Sequence, residues 1–121
     1  MNLDTAFWHS LAELIATHSI VIDRPKHTAH PRYPDLIYPL NYGYIENTST
    51  GDGADIDVWI GSLPQKTLTG ILCTFDRLKF DAEIKLLIGC TDEDVQTIQG
   101  FNTDLPSLFI ANPLVTNDVS A

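Results

Sequence analysis

Residues 51–60 read Gly-Asp-Gly-Ala-Asp-Ile-Asp-Val-Trp-Ile, an acidic turn broken by glycine that runs directly into an apolar segment. No other stretch restricts the possible folds as strongly. As a strand, residues 56–60 place Ile56, Val58 and Ile60 on one face and Asp57 on the other. Asp55 shares the Asp57 face if extended backbone reaches back that far. Asp52 falls on the turn itself, where Gly51 and Gly53 permit a tight reversal. Three carboxylates at one strand mouth repel each other, and a cation between them relieves the cost. Oxygen donors without His or Cys suit Mg²⁺, or Mn²⁺, better than zinc.

The chain of 121 residues is the size of one domain, residues 1–121, and its 44% hydrophobic content supports a folded core. Sixteen acids against seven Lys and Arg give a net charge of −9. That balance argues against a nucleic-acid partner, because no basic stripe is available to neutralise phosphates. A small anion remains compatible where a metal ion reverses the local sign. Cys73 and Cys90 fall in strand-like apolar runs and read as reduced structural thiols. The first fifteen residues have neither a basic start nor a continuous apolar run, so they do not read as a signal peptide. No stretch has the length of a membrane span. The expected compartment is the cytoplasm.

Along the chain, Phe7, Trp8, Leu11, Leu14 and Ile15 recur at one-face helical spacing, with Asp4 as the predicted cap. His9 and His18 lie off that stripe or at its end and read as solvated side chains. Residues 19–23 predict a strand ending in Asp23. Pro25, Pro31, Pro34 and Pro39 exclude helix and inner strand from the segment that follows. That loop carries Lys26, His27, His30 and Arg32, and the planar fork of Arg32 suits phosphate oxygens. Tyr42, between Asn41 and Gly43, is a candidate ligand contact, whereas Tyr38 and Tyr44 read as packing. Residues 67–75 and 82–90 predict two strands joined by the polar connection 76–81. On the second, Glu83 and Lys85 share one face while Ile84, Leu86 and Ile88 share the other. Thr91 and Asp94 mark a helix start that continues through Val95, Ile98 and Phe101. A short segment at 105–110 and a tail ending at residue 121 complete the chain.

Tyr-Pro-Leu-Asn-Tyr-Gly-Tyr-Ile at 38–45, followed by Asp-Gly-Ala-Asp-Ile-Asp-Val at 52–58, resembles the signature of the family I soluble inorganic pyrophosphatases. Those enzymes read Tyr-Pro-x-Asn-Tyr-Gly-(Phe or Tyr)-Ile and then Asp-Gly-Asp-Pro-hydrophobic-Asp-Val, with matching spacing between the two blocks. The resemblance covers residues 38–60 and extends in weaker form over about 20–88. Ala54 stands where the family has its central aspartate, and Asp55 where it has proline. The family's basic hairpin is largely missing from the proline-rich loop, and its late tyrosine-lysine pair has no counterpart.

The resemblance implies an α+β, mainly β fold: a small OB-like closed β-barrel flanked by N- and C-terminal helices, with the site at the barrel mouth. It implies Mg²⁺-dependent hydrolysis of inorganic pyrophosphate or another small phosphoanhydride. Asp52, Asp57, Glu83 and Asp76 would hold the metal. Arg32, Lys26, Tyr42, Lys85 and Asp23 would bind substrate, with Asp55 replacing the missing base and Tyr42 and Lys85 assisting catalysis. The alternative is a re-purposed member that binds metal and a phosphorylated ligand without splitting it. A homo-oligomer is compatible with either.

Overall fold

Alternating apolar side chains sort this chain onto the two faces of one sheet. The computed structural model describes residues 2–51 and 53–115. Its elements are α1 (Leu3–Thr17), β1 (Ile20–Arg24), β2 (Asn41–Ile45), β3 (Ile56–Ile60), β4 (Leu68–Asp76), β5 (Asp81–Ile88), α2 (Asp92–Phe101) and β6 (Ser107–Ala111). The strands form a sheet in the order β1-β2-β3-β5-β4-β6. Every neighbouring pair is antiparallel except β3 and β5, which run parallel. The architecture is α+β and mainly β.

Each face has its own core. Val58, Ile71, Leu86 and Ile88 face α1 and pack with Trp8 and Ile45, while Leu11, Leu14 and Ile15 close over them. Trp59, Leu72 and Leu87, one position out of phase, face α2 and pack with Val95, Ile98 and the loop residues Tyr38 and Leu40. The expected barrel is therefore not what is seen. β1 and β6 stand at opposite edges of an open sheet, and among the described residues no ladder joins them. A helix over each face does the covering that closure would otherwise do.

The helix ends follow from local hydrogen bonding. Asn2, rather than Asp4, caps α1: its side chain accepts the Thr5 N–H at 2.8 Å, and Asp4 lies in the first turn. Asn serves as well as Asp in this role. At α2 the Thr91–Asp94 capping box forms as predicted. Asp94 also accepts the Ser62 N–H at 2.9 Å and the Ser62 hydroxyl at 2.8 Å, tying α2 to the end of β3. Burial alone would raise its pKa, but the bonds from Ser62 and Thr91 outweigh it and hold the carboxyl below the usual value.

Gly43 is required by close packing. A Cβ there would collide with the Val21 carbonyl of β1. The two cysteines are free thiols on opposite faces of the sheet. Burial, with Asp94 adding to it, pushes the Cys90 thiol up to about 12, which leaves it unreactive at neutral pH.

Two outcomes are expected. Gly43→Ala lowers stability by about 3 kcal/mol, the upper end of overpacking costs, as read by urea unfolding. The depressed Asp94 pKa contributes stability that is present above the unfolded carboxylate value of about 3.9 and is lost as pH falls below it. Asp94→Asn therefore lowers Tm at pH 7 and flattens the fall in Tm on acidification below about pH 4.

Candidate functional site

The parallel pairing of β3 with β5 builds the site. Val58 is opposite Leu86, so one position earlier on both strands Asp57 and Lys85 come side by side on the α2 face. Antiparallel pairing of β2 with β3 brings in Tyr42, opposite Trp59. The Tyr42 hydroxyl donates to Asp57 Oδ2 at 2.6 Å, and Lys85 Nζ donates to that oxygen at 3.1 Å and to the Tyr42 hydroxyl oxygen at 2.9 Å. Glu83 Oε2 lies 3.5 Å from the same ammonium. Burial first, and then the Asp57 carboxylate, raise the Tyr42 pKa far above its ordinary value, so the hydroxyl remains a proton donor. Lys85 is itself 8% exposed. A buried ammonium needs such partners, and here it has two carboxylates and a hydroxyl.

Lys85 and Tyr42 form part of the wall of an open cleft of about 1060 Å³ between the sheet, α2 and the proline-rich loop. Arg24, Arg32 and Lys79 add positive charge to its lining, and Thr74 and Ser107 add hydroxyls. Rings make up much of the rest. Tyr38 packs at 4.8 Å from Phe101 and 5.8 Å from Trp59, and Tyr42 meets Trp59 edge-on at 4.8 Å. The proline-rich loop closes on itself through the His30 N–H to Leu36 carbonyl bond (2.8 Å) and the Tyr38 N–H to Thr28 carbonyl bond (2.9 Å). Ala29 and Ile37 form an isolated antiparallel bridge there.

The sequence candidates divide accordingly. Tyr42, Asp57, Glu83 and Lys85 converge. Arg32 and Asp76 line the cleft beside them. Asp76 spends Oδ1 on the Leu78 and Lys79 N–H groups at 2.9 and 3.0 Å, and these bonds hold its pKa below the ordinary value. Asp55 is turned away: β3 begins at Ile56, and the Asp55 carboxylate instead accepts the Thr48 N–H at 3.3 Å. Asp23 is exposed at a bulge in the β1–β2 ladder and meets its neighbour Arg24 at 3.4 Å. The Lys26 side chain is exposed, and its backbone N–H bonds Asn41 Oδ1 at 2.8 Å. Asp52 lies outside the described residues.

Two cationic cleft residues, Arg24 and Lys79, escape a reading of the sequence alone. Arg24 enters because it is paired with Tyr42 across the β1–β2 ladder. Lys79 enters from the turn after β4, whereas His30 belongs to the basic loop already singled out from the sequence. The alternation of β1 past Asp23 carries the only advance signal for Arg24.

Among the described residues no group of three His, Cys, Asp or Glu side chains is placed to hold a metal. The described acids on this face are already engaged by side chains. Asp57 Oδ2 is bonded twice, and Lys85 stands between Asp57 and Glu83. No protein-family model matches the chain, and comparison with curated proteins and with solved structures returns no match.

Double-mutant analysis checks the network. Asp57→Asn and Lys85→Met each cost about 1–3 kcal/mol by leaving a partner unpaired. The double variant costs about 1 kcal/mol less than the two singles added together. Additive costs would show that the two side chains do not interact.

Proposed function

We propose that this protein binds inorganic pyrophosphate, or a related small phosphoanhydride, in the cleft and hydrolyses it in the presence of Mg²⁺. The observation that carries this is the meeting of Tyr42 and Lys85 beside Arg24 and Arg32 in one cleft of a chain whose net charge is −9. Cations concentrated against that overall charge suit a small anion. The likeness of residues 38–58 to the family I pyrophosphatases makes pyrophosphate the first choice. A barrel like that of the family would require the β1 and β6 edges to meet, and the cleft does not depend on it.

Lys85, Arg24 and Arg32 would offset the phosphoryl charge, and the Tyr42 hydroxyl, by exchanging Asp57 for the ligand, would donate to a phosphate oxygen. Asp57 and Glu83 would serve as positioning groups that hold the ammonium. The divalent ion, Mg²⁺ or Mn²⁺, would enter as part of the substrate, as a metal–pyrophosphate complex.

A second reading, binding without cleavage, is favoured by a separate observation. Ala54 supplies no carboxylate, and Asp55 is bonded to the Thr48 N–H. Hydrolysis would then lack its usual water-activating base.

Phosphate release from magnesium pyrophosphate, measured beside direct binding by calorimetry, separates these. Slow release in the wild type, reduced about a hundredfold in Lys85→Met, is the expected result. Binding with no release, and release gained on Ala54→Asp, supports the second reading. Absence of both binding and release contradicts the two together.

A further inference from the structure

Pyrophosphate alone uses only part of this cleft. At about 1060 Å³ the cleft stands at the upper end of the range for sites that enclose organic ligands. Its lining also carries two kinds of group. Arg24, Tyr42, Thr74 and Lys85 bring positive charge and hydroxyls, and His30 and Tyr33 of the proline-rich loop bring rings. The rings adjoin one another. Lys85 Nζ lies 5.4 Å from the Tyr42 ring centre, Tyr42 5.6 Å from Tyr38, Tyr38 6.1 Å from His30, and His30 5.1 Å from Tyr33. An inorganic anion gains nothing from an aromatic surface. A flat heteroaromatic group does, at little cost in specificity.

The wall is built to stay in place. His30 Nδ1 accepts the backbone N–H groups of Arg32 at 3.0 Å and Tyr33 at 3.2 Å. The neutral ring therefore carries its proton on Nε2, and its plane is fixed against the loop. It stacks on Tyr38 with only 6° between the planes. Burial, with Arg24 and Arg32 adding to it, lowers the His30 pKa, which keeps the ring uncharged at neutral pH. Tyr33 is 49% exposed and presents its side chain to solvent at the rim.

We propose that the cleft takes a nucleoside diphosphate, with the base against His30 and Tyr33 and the diphosphate at Arg24, Tyr42 and Lys85. The placement of the diphosphate rests on the phosphate reading given above. A mononucleotide, rather than a nucleic-acid strand, fits the net charge of −9, which opposes any long polyanion.

Titration of the whole chain in Mg²⁺ with pyrophosphate, ADP and adenosine, followed by calorimetry, tests this. ADP binds at least about tenfold tighter than pyrophosphate, the gain expected from stacking one base, and adenosine binds more weakly than ADP. Tyr33→Ala, at a half-exposed site, reduces the ratio of ADP to pyrophosphate affinity about tenfold. Pyrophosphate binding as tightly as ADP overturns the nucleotide assignment and leaves the phosphate reading intact. Adenosine binding as tightly as ADP overturns the placement of the diphosphate and the phosphate reading with it. No binding of any of the three overturns both. An unchanged affinity ratio in Tyr33→Ala overturns the position assigned to the base.

Discussion

A buried ammonium held between two carboxylates and a phenol governs the polar side of this sheet. Lys85 is stable at 8% exposure only because Asp57, Glu83 and Tyr42 share its charge and hydrogen bonds. Those partners come from β2, β3 and β5, and they meet only when β3 and β5 run parallel in the observed register. The apolar packing beneath sets that register. Val58 and Leu86 are almost fully buried on the opposite face, and a shift of one residue would expose them and bury the charges. Core and site are thus two consequences of one alternation.

Much of this could be read from local signals. The β3 alternation, the Glu83–Lys85 face, the Thr91–Asp94 capping box and the α1 apolar stripe each depend on residues within a few positions of one another, and each is present, except that Phe7 of the stripe is exposed. What could not be read depends on contacts distant in the sequence. The pairing of β3 with β5 passes over β4, and nothing in either strand announces a parallel neighbour. Arg24 reaches the cleft through its register with Tyr42, and Asp55 is lost to it because the preceding turn offers the Thr48 N–H. The open sheet, in place of a barrel, reflects a second helix-covered core that no single periodicity reveals.

Of the acids expected to gather round a cation, Asp57 and Glu83 meet the Lys85 ammonium among the described residues. Lys85 Nζ lies 3.1 Å from Asp57 Oδ2 and 3.5 Å from Glu83 Oε2. The positive groups facing the cleft then come from the protein itself: Arg24, Arg32, Lys79 and Lys85. In the proposed complex a phosphate-bearing ligand would meet these charges, and the rings of the lining would be left for its organic part.

The central claim is that Lys85, and not a bound metal, neutralises Asp57 and Glu83 in the ligand-free protein. A crystal structure of the chain grown in excess Mn²⁺ without phosphate, with anomalous scattering recorded for manganese, tests it most directly. The account predicts Lys85 Nζ within hydrogen-bonding distance of Asp57 and Tyr42, with no manganese peak between Asp57 and Glu83. A manganese ion coordinated by those two carboxylates, with Lys85 swung aside, would contradict it.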